Sequence, residues 1–198
     1  MVTIFYNGAN DSVRAAVTYV NNLFIYTPFL DAIYRNKHFD MADIPPKKIV
    51  DMIDNTDLQL SVNLYWPLPN INRAYAYDDL QNPLAIHMNK MALNRPVHSL
   101  CNTLVHQCVH ALNIHNPSCY FGHGDNNPAG KNNTAPFWIA GLAQKLVAED
   151  DKVYEPMYHE EISNIPLIQN SNTRQVQETL YHEGIFCVYD MIAILEAE

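Results

Sequence analysis

The stretch CNTLVHQCVHALN, residues 101 to 113, decides how the rest of the chain is read. It sets His106 and His110 four positions apart, with Gln107 directly after the first histidine. On a helix, Val97, Cys101, Leu104, Cys108 and Ala111 form one apolar stripe, while Thr103, His106 and His110 run along a second line. Side chains four apart on a helix have Cβ atoms about 5–6 Å apart, which lets two imidazoles converge on one ion. The spacing therefore predicts a helix over 96–113, with Pro96 in its first turn, that carries half of a metal site.

A catalytic metal needs a third protein ligand and an open position, so the search moves downstream. The loop NPSCYFGHGDNNPAGKNNTAP offers His123 between two glycines, whose backbone freedom allows the chain to bend back over the helix. Asp125 is the local competitor for that role. Glu149, near the end of the following helical stretch APFWIAGLAQKLVAED, is the distant one. His115, just past the histidine pair, reads as a surface or capping residue.

Upstream, NDSVRAAVTYVNNLF places Val13, Ala16, Val17, Val20 and Leu23 at helical spacing behind Asn10 and Asp11 as possible caps. YTPFLDAIYRN and IPPKKIVDMIDN read as two more short helices led by prolines, with Lys47 and Lys48 on a solvated helix start. The pattern then changes to alternation, with Leu58, Leu60, Val62 and Leu64 on one face, a Pro-Asn turn, and Ala74 to Tyr77 as the returning arm of a hairpin. PLAIHMNKMALN supplies a further strand over 85–92. At the far end, TRQVQETLYHEGIFCVYDMIAILEAE reads as a C-terminal helix bent near Gly184.

Composition bounds the possibilities. With 198 residues, 48% hydrophobic and 17% charged, the chain suits a single domain with a sizeable core. It divides into N-terminal helices at about 10–54, sheet and motif helix at about 58–113, metal loop and next helix at about 116–150, and an extension at about 151–198. A net charge of −9 argues against nucleic acid as partner, because phosphate binding is driven by Lys and Arg. No run of about 18 apolar residues is present, so no membrane span is expected, and the N-terminus lacks the marks of an export signal. The four cysteines, Cys101, Cys108, Cys119 and Cys187, show neither a CxxC pair nor regular spacing, so reduced thiols in a cytoplasmic protein are the expectation.

LVHQCVHALN followed by YFGHG resembles the compact zinc metallopeptidases of the gluzincin group, in particular the SprT-like pattern, in which HExxH on a helix is followed by a histidine in a His-Gly context. The resemblance covers roughly residues 85 to 150. It implies a zincin-like (minigluzincin) α+β domain, with a small mixed sheet, flanking helices and a cleft between the strand at 85–92 and the motif helix. It also implies Zn²⁺ held by His106, His110 and His123, a protein or peptide substrate paired in extended form with that strand, and Gln107 at the catalytic position where the family has glutamate. In that mechanism zinc lowers the pKa of its water toward about 7, and the glutamate takes the proton. An amide cannot take it. The chain is therefore expected to keep the zinc geometry and lose most hydrolysis, as an endopeptidase silenced at Gln107, by deliberate replacement of the glutamate rather than by natural loss. The alternatives are a natural pseudopeptidase that binds peptides, and a metal-free helical interaction protein whose histidines are merely buried and hydrogen-bonded. Oxyanion-stabilising residues are sought among Tyr154, Tyr158, His159, Tyr181 and His182, each of which has a plainer structural reading.

Overall fold

The structure, a computed structural model, describes residues 1–66, 76–79, 82–124 and 129–149. Five helices and one four-stranded sheet follow the order β1 (Val2–Phe5), α1 (Asp11–Leu23), α2 (Thr27–Arg35), α3 (Pro46–Asn55), β2 (Leu58–Tyr65), β3 (Ala76–Asp79), β4 (Asn82–Asn89), α4 (Val97–His115) and α5 (Ala135–Glu149). The mixture of helix and strand agrees with an α+β chain, and the sheet is mixed, as expected.

Local chemistry explains the helices. Asn10 caps α1 by accepting the Val13 N–H at 3.0 Å, and Val13, Ala16, Val17, Val20 and Leu23 form its buried face. Prolines open α2 and α3, where a missing N–H costs nothing. Lys47 and Lys48 lie in the first turn of α3, as the sequence suggested.

The sheet departs from expectation in three ways. Its order is β1-β2-β4-β3, with β1, β2 and β4 parallel and β3 antiparallel to β4. The expected hairpin between the 58–65 strand and residues 74–77 is thus replaced by a parallel pairing of β2 with β4, while β3 returns along β4. Alternation identifies a strand with one buried face but carries no information about its neighbour. Of the predicted arm, Ala74 and Tyr75 lie outside the described residues. Second, β4 is an inner strand and stops at Asn89, where a single 3₁₀ turn, Lys90–Ala92, takes over. It has no free edge for substrate. Third, the N-terminal VTIF is a strand that the sequence reading overlooked. It pairs with β2 on one side, and on the other Asn21 of α1 both accepts the Ile4 N–H at 2.9 Å and donates to the Ile4 carbonyl at 2.8 Å.

Helices α1 and α4 pack on one face of the sheet, and α5 packs on the far side of α4. This placement overturns the two-stripe reading of the motif helix, because every residue from Ser99 to Leu112 is buried. Leu100, Leu104, Val105, Val109 and Leu112 each remove an apolar side chain from water, worth about 1.5–3 kcal/mol apiece. A helix covered on all sides tolerates polar side chains only where they find partners, so the two histidines need an explanation.

Candidate metal centre

His106, His110 and His123 are brought together in the interior, at 0%, 7% and 2% exposure. Their Nε2 atoms form a triangle with sides of 3.2 Å (His106 to His123), 3.1 Å (His110 to His106) and 2.9 Å (His110 to His123). The ligand atoms of these three residues are close enough to hold a metal ion together. Tetrahedral bonds of about 2.0–2.1 Å place neighbouring donor atoms about 3.3 Å apart, close to the observed sides.

Hydrogen bonding alone cannot satisfy such a triangle. Each Nε2 carries either a proton or a lone pair, so among three of them at least two are alike. One contact therefore sets proton against proton or lone pair against lone pair, whatever the tautomers. A central cation replaces that conflict with three favourable contacts. The residues present thus fit a metal. Burial, reinforced by the neighbouring histidines, holds the pKa values of His106 and His110 well below the ordinary histidine range, which favours the neutral form that ligates.

The third ligand comes from a loop fixed by specific bonds. Asn113, near the end of α4, accepts the Phe121 N–H at 2.8 Å and donates to the Cys119 carbonyl at 3.1 Å. Phe121 is itself fully buried and anchors the loop in the core. Asp43 accepts the Tyr120 N–H at 2.7 Å and donates its own N–H to the Tyr120 carbonyl at 2.9 Å. The Tyr120 ring folds back over Gly122, where an added Cβ would come within 2.9 Å of the phenol oxygen. That oxygen accepts the Gly124 N–H at 2.9 Å, and Gly124 sits at φ +72° in the left-handed region. Gly124 thus adopts without strain a backbone conformation that L side chains rarely take, while a side chain at Gly122 would have to displace the Tyr120 phenol. Met41, a non-glycine residue at φ 59°, lies over Gly124 from the neighbouring loop.

Phe137 of α5 completes the surround. Its ring centroid lies 4.8 Å from that of His106 and 4.9 Å from that of His123. The outer nitrogen of His106, Nδ1, is buried without a hydrogen bond, whereas metal-bound histidines commonly donate from it. The Pro136 carbonyl acts on this ring in the direction of a higher pKa, weakly against burial.

Gln107 is fully buried, directly after His106. Thr103, placed on the histidine line by periodicity, instead receives a 2.8 Å bond from Arg95. His115 ends α4 exposed to solvent. Asp125 lies outside the described residues, as do Cys187, Tyr154, Tyr158, His159, Tyr181, His182 and the C-terminal helix expected near them. Glu149 ends α5 twelve residues beyond Phe137, ~18 Å along the helix axis, and its side chain also falls outside the described set. Among the described residues, Cys101, Cys108 and Cys119 form no disulfide. Sequence reasoning missed Phe137, Tyr120 and Asp43. Tyr120 stands inside YFGHG, but nothing local marks its hydroxyl as the partner of Gly124.

No protein-family model matches the chain, and neither a curated protein nor a solved structure is significantly similar to it. Among the described residues, no helix is long and apolar enough to cross a membrane.

Proposed function

We propose that the chain is a zinc protein built on the metallopeptidase plan of the minigluzincin type, and that Gln107 leaves it a silenced endopeptidase. The observation that carries the reading is the convergence of three imidazole Nε2 atoms within 2.9–3.2 Å of one another among buried residues. His106 and His110 come from one helix and His123 from the loop after it, with an N-terminal strand and a following helix completing the order strand, helix, ligand loop, helix. Zinc, when bound, would supply electrophilic activation of water. The chain's own residues would hold the ion, exclude bulk solvent through Phe137, and present an amide beside His106 that cannot accept a proton.

Because β4 is an inner strand, extended substrate would pair instead with the outer strand β3, Ala76–Asp79, whose described partner is β4 alone. A protein or peptide is the substrate class that suits such pairing. We take the compartment to be the cytoplasm, a reading supported by three cysteines that form no disulfide among the described residues.

The test is Gln107→Glu. A positioned proton acceptor contributes about 10²–10⁴-fold in rate, so the glutamate variant should digest an unstructured protein mixture while the chain as written stays nearly silent. If the variant holds zinc and cleaves nothing across a broad peptide library, a natural pseudopeptidase that binds peptides takes the place of the enzyme. Full activity in the present chain would refute the mechanism.

A further inference from the structure

We propose that Asn102 is a positioning residue for His106, its side-chain oxygen taking the proton on the outer nitrogen of that ring once a metal is bound. This rests on the metal reading above and goes beyond the ligands to what orients one of them. His106 turns Nε2 toward the other two histidines, so a metal bound there leaves the ring proton on Nδ1, which then needs an acceptor. Nδ1 is buried and makes no hydrogen bond. The Pro136 carbonyl acts on the ring but stands outside hydrogen-bond geometry.

Asn102 supplies the complement. It lies one turn before His106 on α4 and is 1% exposed. Its Nδ2 donates to Oε1 of Gln144 on α5 at 2.7 Å, whereas its Oδ1 is buried and accepts no hydrogen bond. His106 faces α5 as well, its ring centroid 4.8 Å from that of Phe137. Phe137 and Gln144 are seven positions apart, two turns along one face of α5. A buried donor without an acceptor and a buried acceptor without a donor thus share the seam between α4 and α5, and each is costly to leave alone. Residues four apart on a helix have Cβ atoms about 5–6 Å apart, which lets the two atoms be joined directly or through one internal water. Gln144 fixes the polarity of the pair: with Nδ2 committed to it, the oxygen is the end of the amide left for the ring.

The test measures zinc affinity of the full chain by competition with a chromophoric chelator, alongside melting of the metal-free protein. Asn102→Leu removes both polar atoms and should weaken zinc binding about 10–100-fold. Asn102→Asp keeps an oxygen and gives up the amide donor. It should bind zinc at least as tightly as the unaltered chain, while its metal-free melt falls along with that of Asn102→Leu. The split separates a hold on the ring from a tie between helices, because both variants break the tie to Gln144. With nitrogen-15 in the histidines, the His106 Nδ1 proton of the zinc form should resonate further downfield in Asn102→Asp than in the unaltered chain, since a carboxylate accepts more strongly than an amide. That comparison stands even where Asn102→Leu does not fold. Zinc affinity unchanged in Asn102→Leu overturns the proposal and leaves the ring to the Pro136 carbonyl. Equal weakening in both variants, or an unmoved Nδ1 proton, overturns it too, since the side chain then serves Gln144 alone. A chain that takes up no zinc at all sinks the metal reading, and the positioning role with it.

Discussion

His110 and His123 meet at 2.9 Å between their Nε2 atoms although thirteen positions separate them in the chain, and His106 closes the triangle from one turn earlier. Two of the three donors are set by a single helix, and the third depends on a loop held by Asn113, Tyr120 and Asp43. The centre therefore couples the geometry of α4 to the loop that follows it.

Removal of one donor should destroy the centre. The protein is expected to bind one zinc per chain, and His123→Ala should lower zinc affinity by more than about a hundredfold, beyond what an outer-shell change costs. Elemental analysis and competition with a chromophoric chelator measure both. Unchanged affinity would exclude His123 as a ligand.

Metal should also stabilise the fold. A ligand bound only by the native state adds about 2.7 kcal/mol at a hundredfold excess over Kd, which for a chain of this size corresponds to a rise of about 5–10 °C in Tm. Melting curves with zinc and with chelator should differ by that order.

The apo-protein should lose stability on mild acidification. Burial lowers the pKa values of His106 and His110 in the folded state, while the unfolded chain protonates near 6.5. Below about pH 6.5 the unfolded state binds more protons than the folded one, so stability falls as pH falls, and above it this contribution is level. A variant carrying His106→Gln and His110→Gln should show a flatter apo melt between pH 8 and pH 5. An identical slope would assign the effect to other groups.

Gly124→Ala places a side chain at φ +72°, at a cost of about 1–2 kcal/mol. The Met41 methyl group, 3.0 Å from the new Cβ, is the end of a flexible chain and has room to turn aside. Denaturant melts should show the loss, and zinc titration should show weaker binding, because Gly124 adjoins His123. Equal affinity would mean that the ligand loop tolerates strain at this point.

Cys101 should resist alkylation. Burial pushes its thiol up to about 12, and the thiol donates to the Ala16 carbonyl at 3.7 Å. At pH 8 the thiolate is then scarce as well as enclosed. Mass spectrometry of peptides labelled before and after denaturation should find Cys101 modified only in the unfolded chain.

Short-range physics was legible in the sequence. The Asn10 cap, the prolines opening α2 and α3 and the apolar face of α1 act within a few residues, and the i, i+4 spacing of His106 and His110 follows from helix pitch alone. The two glycines flanking His123 likewise announced a backbone that bends sharply. Pairing and burial belonged to the tertiary structure. Alternating Leu58, Leu60 and Val62 fixed which face of β2 is buried, but whether β3 or β4 lies beside it depends on contacts across the whole domain, and so the hairpin was misplaced and β4 became an inner strand. The apolar stripe of α4 gave no notice that α5 covers its other side, because periodicity reports how one helix divides its residues and not how many partners surround it. Phe137 and Tyr120 took their places at the centre for the same reason: a ring against a ring, or a hydroxyl under an amide, is a fact of distance in space, which no local pattern of residues encodes.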